Sequence, residues 1–411
     1  MKGAVIFAEM LRKGAQCTQE GLNQWPANFW STRFKRTDIK GPGHLFYDSV
    51  RNKTIFQGEA AEVLASAQRP MSLLSTQFFD QPVARVEGTL LKLNRRVVPS
   101  MPFKADKIAE QLCVFVDWSG REPELELKGL YNHGRALTFN LKFEDRYHNR
   151  YNYVALKGLG MPKKSDRGSS HSRPVHYERG LDQQNALGME RSINALHDWE
   201  YSNYFLSSGI RTHVPLALIK FKSILLASGE RIDVGDAIKE KVLPATREYD
   251  TRQVKFVPYL YLKGFGEMMR VIDLHKEEYE AFAKERGLSV QEYAVSWGRE
   301  VGRNVALMHN LGLAHGYITD HNLTADGRIV DLDSMSKGTH SSIGEDLYDT
   351  LSVLVRDQGL GTNDSKAALL DSYFTNRNHI PEMQRRQFVS WLAHRGIDKK
   401  EVNRLVGLAR K

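Results

Sequence analysis

Apolar and polar residues alternate along several segments between residues 124 and 264. ELELKGLY (124–131), RALTFNLKF (135–143) and YNYVALKG (151–158) either alternate in this way or are rich in residues that favour strands. HVPLALIKF (213–221) and KFVPYLYLKG (255–264) have the same character. The pattern therefore predicts a β-rich part of the chain over this interval.

From residue 289 the spacing of apolar residues becomes that of helices. Ser289 and Glu292 have the spacing of a capping box, and Gly312 follows the last periodic residue. A helix is also predicted at 189–208, and the chain after residue 340 is mostly helical in pattern. The predicted fold class is α+β. The apolar positions of the long helix are Val290, Ala294, Trp297, Val301, Val305 and Met308.

Two stretches lack a clear pattern. Residues 1–88 contain scattered aromatic residues, and we interpret them as an extra N-terminal region without an assigned role. Residues 162–188 are polar and basic and lack apolar periodicity, which predicts a mobile insertion. We place a β-rich lobe at 89–262, including that insertion, and a helical lobe at 263–411.

Charge and cysteine content narrow the classes of ligand and environment. The chain of 411 residues has a net charge of +9, which fits an anionic ligand such as a nucleotide or nucleic acid, and also a merely basic surface. Cys17 and Cys113 form no metal-binding spacing and no disulfide framework. No apolar run approaches the roughly 18 residues of a membrane span, so we expect a soluble cytoplasmic protein that contacts no membrane.

The segment LAHGYITDHNLTADGRIVDLDSM (313–335) carries the strongest chemical signal. Its Asp-Gly pair at 326–327 is typical of a two-residue hairpin turn. In that register Asn322 and Asp331 face each other, with Cβ atoms about 5 Å apart. Their amide and carboxylate oxygens suit Mg²⁺, with Mn²⁺ as a substitute. Asp333 is either a further metal ligand or a surface acid.

The spacing around this hairpin is that of a protein-kinase-like catalytic core. Asn322 follows His315 at the interval of the kinase pattern HRDxxxxN, just after a long helix. Tyr317 stands where kinases place the catalytic Asp, so Asp320 and His321 are the candidates for taking the proton of an acceptor hydroxyl. We therefore predict a two-lobed kinase-like fold, either inactive or with different chemistry on the nucleotide.

A later helix supports the same layout. GEDLYDTLSVLVRD (344–357) resembles the kinase helix that follows the activation segment. Asp346 is predicted to brace the backbone of the catalytic loop, and His315 is predicted to be a hydrogen-bonded scaffold residue.

Four stretches resemble the selenoprotein O family, which consists of protein adenylyltransferases with a kinase-like fold. They are GLYNHGRALTF (129–139), VALKGLG (154–160), LHDWEYSNYFLSSGIRTHVPLALI (196–219) and LAHGYITDHN (313–322). The resemblance covers roughly residues 125–335 and implies that ATP binds in a flipped orientation with Mg²⁺. It also implies that AMP, instead of phosphate, is transferred to a protein acceptor.

The resemblance implies roles for individual residues. Lys157 corresponds to the phosphate-binding lysine, and either Asp198 or Glu200 to the acid that orients it. Lys263 and Arg270 have the spacing of two basic residues that hold the phosphates of the flipped nucleotide, and the alternative is that both are ordinary basic residues of the surface. The nucleotide-binding set, including two residues of the loop over the phosphates, is Gly134, Arg135, Lys157, Asp198, Glu200, Lys263 and Arg270.

Three other functions stay open at this point. The same core serves phosphoryl transfer to a protein or small molecule, and it also serves an inactive, pseudokinase-like nucleotide-binding module. The basic charge and the tail 385–411 leave nucleic-acid binding open, although the apolar residues of that tail fit a pair of packed helices better. The preferred interpretation is AMP transfer from ATP to a hydroxyl group.

Overall fold

The computed structural model describes most of the chain after residue 77. The described residues are 78–101, 103–104, 106–130, 136–162, 179, 188–249, 252–357, 359–378 and 380, and the single positions 386, 388, 390 and 400. The predictions for most of residues 1–88, most of the 162–188 insertion, Gly134, Arg135 and most of the 385–411 tail lie outside the described residues.

One antiparallel sheet forms the first lobe. Its strands lie in the order β2-β8-β13-β6-β5-β4-β1-β3, and β7 also pairs with β13. The five predicted strands are confirmed as β4, β5, β6, β8 and β13, because alternation marks strands with one buried face. The strands are β1 Phe78–Arg85, β2 Gly88–Leu93, β3 Val114–Val116, β4 Leu125–Leu130, β5 Ala136–Glu144, β6 Arg150–Lys157, β7 Glu190–Arg191, β8 Val214–Phe221, β9 Ser223–Leu225, β10 Arg231–Asp233, β11 Thr246–Tyr249, β12 Arg252–Lys255, β13 Pro258–Phe265, β14 Leu313–Ala314 and β15 Ser336–Lys337.

The sheet begins earlier than the predicted lobe boundary at residue 89. β1 starts at Phe78 and pairs antiparallel with both β3 and β4. Pro82 interrupts the apolar alternation of this strand in the sequence, which explains why its pattern gave no signal.

Helices dominate the second lobe. The predicted long helix is α5, and its capping box is confirmed: Glu292 N donates to Ser289 Oγ at 3.2 Å, and Ser289 N donates to Glu292 Oε2 at 2.8 Å. The helix predicted at 189–208 is α2. The helices are α1 Ile108–Leu112, α2 Ser192–Ser207, α3 Val234–Lys239, α4 Lys276–Glu285, α5 Val290–Asn310, α6 His340–Arg356 and α7 Asn363–Asn376, with short 3-10 helices at Val271–Asp273 and Leu332–Ser334.

Two glycines allow α5 and α7 to cross almost backbone to backbone. A Cβ atom on Gly302 would lie 2.2 Å from the carbonyl oxygen of Leu369, and one on Gly298 would lie 2.5 Å from that of Ser365. Any larger residue would push the helices apart. This contact fixes the position of α5, and Trp297 of α5 is hydrogen-bonded to the hairpin of the candidate site.

Buried apolar side chains form two main clusters, one in each lobe. The first lies under the sheet and contains residues such as Leu137, Val154 and Leu260. The second lies among the helices and contains Trp297, Val305 and many others. The fold is therefore α+β with a sheet lobe and a helical lobe, and within its described part no helix is long and apolar enough to cross a membrane.

Candidate functional site

Three cationic side chains converge on the carboxylate of Asp331. Lys157 Nζ donates to Asp331 Oδ1 at 2.6 Å, and Lys263 Nζ lies 3.9 Å from the same oxygen. Arg270 Nη1 lies 4.0 Å from Asp331 Oδ2. The structure therefore brings four of the proposed site residues together, and Lys263, only 3% exposed, is not a surface lysine.

Strand geometry explains why the two lysines point to the same place. Lys157 is paired in register with Tyr261 on the neighbouring strand, and paired residues point to the same face of a sheet. Lys263 follows Tyr261 by two positions, so it shares that face. β6 and β13 thereby present both lysines toward α2.

Backbone pairing holds Arg270 beside the hairpin. Arg270 forms an isolated antiparallel bridge with Thr324. Ala325 N donates to Met269 O, and Val271 N donates to Leu323 O, each at 2.9 Å. The guanidinium then donates from Nη1 to the carbonyl oxygen of His321 and, at 3.4 Å, to Asn322 Oδ1.

The predicted hairpin register is wrong by one position. Leu323 pairs with Ile329, and Val330 N donates to the carbonyl oxygen of Asn322 at 3.0 Å. Asn322 therefore lies opposite Val330 and not opposite Asp331. Asp331 follows the hairpin with φ 65° and ψ 55°, a left-handed conformation that Asp tolerates better than most residues.

A buried carboxylate in the turn accounts for this register. Asp326 accepts hydrogen bonds from Thr324 Oγ1 at 2.6 Å, Arg328 Nε at 2.7 Å and Arg211 Nη2 at 3.1 Å. These bonds favour a three-residue loop over 325–327, with Gly327 at φ 77°, instead of the predicted two-residue turn. On the other side, Trp297 Nε1 of α5 donates to Thr324 O at 3.0 Å and fixes the hairpin to the helical lobe.

Asp198 forms its ion pair with Lys263, and the charge of Lys157 also acts on it. Its side chain is fully buried, which acts to raise its pKa. His213 and Lys263 outweigh burial and hold the pKa well below its usual range. The groups that contact this carboxylate are His213 Nε2 at 2.6 Å, Lys263 Nζ at 2.8 Å, Tyr261 Oη at 2.9 Å, Ser202 Oγ at 3.1 Å and Leu332 N at 3.1 Å.

Glu200, the other predicted partner of Lys157, does not reach it. Burial raises the pKa of Glu200 to about 7, and the charge that acts on it is that of Lys92. No ion pair joins Glu200 to Lys157 among the residues that the structure describes. The second acid beside Lys157 is Glu190 of β7, whose Oε2 lies 3.6 Å from Lys157 Nζ. No sequence motif marks Glu190, because it reaches Lys157 only through the folding of the sheet.

The predicted bracing of the loop at His315 and Gly316 by Asp346 is confirmed. Both oxygens of the buried Asp346 accept backbone hydrogen bonds, from His315 N at 2.7 Å and from Gly316 N at 2.8 Å. The ring of His315 lies against the carbonyl oxygen of Val330 at 3.1 Å, as expected of a scaffold residue. Tyr317, in contrast, is 56% exposed, and only its carbonyl oxygen contacts the site, through Asn322 Nδ2 at 2.9 Å.

The remaining candidate residues lie around this loop. Asp320 and His321 are half-buried and directly precede Asn322. Asp333 accepts a hydrogen bond from Asn194 Nδ2 at 3.1 Å, which ties it to α2. Burial raises the pKa of Asp333 to about 6, against the opposing effect of Lys157.

The oxygen donors at the site are an amide oxygen and a carboxylate, which are kinds of ligand that suit a divalent cation. Asn322 Oδ1 and the Asp331 carboxylate are ligands that Mg²⁺ prefers, with its other positions taken by phosphates and water. Among the described residues, no three His, Cys, Asp or Glu side chains are grouped so as to hold a metal ion by themselves. Arg270 faces both donors, so a cation and this guanidinium compete for the same oxygens.

The order and contacts of these elements are those of a protein-kinase-like fold. Lys157 ends the third of three consecutive antiparallel strands, and the next long helix, α2, carries a buried acid at the site. A long helix, an HG loop braced by Asp346 and a hairpin followed by Asp331 come next, as in kinases. The chain therefore has a kinase-like fold of two lobes.

Two solved structures from Toxoplasma gondii are similar to the chain at a low level. ROP2, described as a virulence factor with a protein-kinase fold and no enzymatic activity, is 12% identical, with a TM-score of 0.27 over 73% of this chain and 67% of ROP2. A rhoptry antigen kinase domain is 14% identical, with a TM-score of 0.24 over 82% of this chain and 81% of that one. These values carry no functional inference, and the fold assignment rests on the elements above.

No family model matches the chain, and no curated protein matches it. The kinase-like part of the predicted resemblance agrees with the fold, whereas the finer resemblance to the selenoprotein O family is not shown by these comparisons.

Proposed function

We propose that the chain binds ATP with a divalent cation and transfers AMP to a hydroxyl group of a protein acceptor. The convergence of Lys157, Lys263 and Arg270 within 4.0 Å of Asp331 carries the proposal. A triphosphate brings several negative charges, and a partly buried cluster of cations stabilises such charge more strongly than an exposed one.

Each cation has a distinct part in holding the phosphates. When ATP binds, Lys157 and Arg270 move their contacts from the Asp331 carboxylate to phosphate oxygens. The guanidinium of Arg270 has the planar, two-pronged shape that suits a phosphate. Lys263 keeps its bond to Asp198 and contributes positive charge from the sheet. The exchange frees Asp331 to hold a divalent cation together with Asn322; when bound, that cation neutralises phosphate charge.

AMP transfer is preferred over phosphate transfer because the kinase base is missing. Tyr317 occupies its position and points into solvent. The hydroxyl oxygen bonds to the α-phosphorus of ATP, the bond from that phosphorus to the bridging oxygen breaks, and pyrophosphate leaves. Asp320 or His321 takes the hydroxyl proton, an effect worth about 10² to 10⁴ in rate. Most of the rate enhancement then comes from positioning and charge stabilisation.

Transfer from ATP labelled at the α- or the γ-phosphate tests this proposal. The wild-type chain, incubated with proteins of a cell lysate, is expected to transfer label from the α-phosphate. Asp331→Asn should lower the transfer by about 10²-fold or more, whereas Asp349→Asn, at a half-buried acid of α6, should match the wild type. Label from the γ-phosphate alone would contradict AMP transfer and identify a phosphotransferase.

Nucleotide binding without catalysis is the second candidate function. The contacts that favour it are the bond of Lys157 to Asp331 and the position of Arg270 between the two metal donors, which neutralise the metal-binding acid. ATP binding without transfer from either phosphate would support this candidate.

A further inference from the structure

Glu190 is a buried acid that forms an ion pair with Lys157. Its side chain is 1% exposed, and neither of its carboxylate oxygens accepts a hydrogen bond within the described part of the chain. Lys157 Nζ lies 3.6 Å away, within range of an ion pair but beyond a good hydrogen bond. Burying a carboxylate without hydrogen bonds is costly, so its retention here needs a reason.

Close packing fixes Glu190 beside Lys157. The residue after the lysine is Gly158, with φ 97°, and a Cβ atom there would lie 2.6 Å from Glu190 Cβ. A Cβ atom on Gly188, which has φ 80°, would lie 2.3 Å from the carbonyl carbon of Gly160. These two glycines let the segment that carries Glu190 lie directly on the end of β6, and Tyr259 of β13 pairs with Glu190.

Asp198, the acid on α2 that would otherwise orient Lys157, is already hydrogen-bonded to other groups. Asp198 is contacted by five donor groups, among them Lys263 Nζ at 2.8 Å and Leu332 N at 3.1 Å. Lys157 instead donates to Asp331 at 2.6 Å, which is the carboxylate that a cation would need. A second acid is therefore required if Lys157 is to leave Asp331 and stay in place.

We infer that Glu190 is the positioning residue for Lys157 and replaces the helix acid of kinases in that role. When phosphates draw Lys157 away from Asp331, the Glu190 carboxylate closes its 3.6 Å gap and accepts a hydrogen bond from Nζ. The remaining N–H groups of the lysine then point to the phosphate oxygens. The phosphate part of this inference rests on the proposed function, whereas the pairing itself does not.

Thermal unfolding of the free protein tests the pairing without nucleotide. The set comprises wild type, Glu190→Gln, Lys157→Met and the double variant, with Glu277→Gln, an exposed acid on α4, as the control. Glu190→Gln should lower the Tm by about 2 °C or more when Lys157 is present. In the Lys157→Met background it should leave the Tm unchanged or raise it, because the acid has lost its counter-charge. Equal changes in both backgrounds would overturn the inference.

ATP affinity measured by calorimetry on the same variants tests the role toward phosphates. Glu190→Gln should weaken ATP binding about fivefold with Lys157 present and should have no effect in Lys157→Met. Glu277→Gln should bind like the wild type. An unchanged affinity in Glu190→Gln would overturn the positioning role. Coupled Tm values without any ATP binding by the wild type would instead refute the proposed function and leave the pairing intact.

Discussion

Buried carboxylates need counter-charges or donors, and the four acids around Lys157 meet this need in different ways. Asp198 is contacted by five donor groups, and Asp331 is surrounded by three cations. Asp333 instead has its pKa raised to about 6 by burial, and Glu190 forms an ion pair with Lys157. Asp331 and Glu190 are the acids whose surroundings change most when a ligand draws Lys157 away from Asp331.

Another buried acid, Glu267, predicts that the stability of the protein depends on pH. Burial raises its pKa to about 8. Because the folded-state pKa lies above the unfolded value, the folded protein holds this proton while the unfolded chain loses it. Stability therefore falls as pH rises from about 4.5 to 8. Glu267→Gln removes this loss, so its Tm should exceed that of the wild type by roughly 2 °C or more at pH 8, and by less at pH 5.

Thermal unfolding at both pH values checks this, with the exposed Glu285→Gln as a control. A Tm difference for Glu267→Gln that does not grow between pH 5 and pH 8 would show that Glu267 is ionised in the folded protein.

The position of Arg270 predicts that removal of its charge strengthens metal binding and weakens nucleotide binding. In Arg270→Gln the guanidinium no longer faces Asn322 and Asp331, so the free protein should bind Mn²⁺ about tenfold more tightly, the size expected for removing a like charge at this distance. Titration of Mn²⁺ followed by electron paramagnetic resonance measures this. Arg299→Gln, exposed on α5, should behave like the wild type, and an unchanged Mn²⁺ affinity in Arg270→Gln would contradict the competition.

Contacts between residues that are close in the sequence could be predicted. Contacts between residues that only folding brings together could not. The interval between His315 and Asn322 gave the catalytic loop directly. The partner of Asp198 and the approach of Glu190 depend on sheet pairing and on close contacts at Gly158, which no spacing in the sequence records.

Elements with long periodic patterns were predicted correctly, whereas the hairpin register was not. Alternation marked the strands of the sheet, and the capping box marked the start of α5. The hairpin at 322–331 is too short for a pattern to fix its register. The buried bonds of Asp326 to Arg328 and Arg211 decide it instead, because leaving that carboxylate unpaired would cost more than any turn preference.

Because α5 and α7 cross so closely, one methyl group added at the crossing should lower the stability of the protein strongly. Gly302→Ala places a Cβ atom against the Leu369 carbonyl oxygen, so the free energy of unfolding should fall by about 1–3 kcal/mol. Gly235→Ala in α3 is the matched control, because nothing lies within 4 Å of its added Cβ. That control should be neutral or stabilise by about 0.5–1 kcal/mol.

Urea denaturation of both variants measures these changes. Equal stabilities of Gly302→Ala and Gly235→Ala would contradict the close backbone contact between the two helices.

Across the whole molecule, the site joins two lobes that each have a hydrophobic core. The sheet lobe supplies Lys157 and Lys263, because β13 continues past the predicted lobe boundary at residue 262. The helical lobe supplies Asn322 and Asp331 through the hairpin. Arg270 lies on the segment that connects β13 to α4. A ligand with several phosphates therefore contacts both lobes and their connection at once, and the net charge of +9 agrees with an anionic ligand.

Calorimetric titration of ATP with Mg²⁺ into the wild type, Arg270→Gln and Arg299→Gln measures whether the three cations around Asp331 hold phosphates. We expect the wild type and Arg299→Gln to bind ATP equally. Arg270→Gln should bind about tenfold more weakly, as expected for the loss of a charge-assisted hydrogen bond. No binding by the wild type, or equal affinities of Arg270→Gln and the wild type, would contradict a phosphate site at Lys157, Lys263 and Arg270.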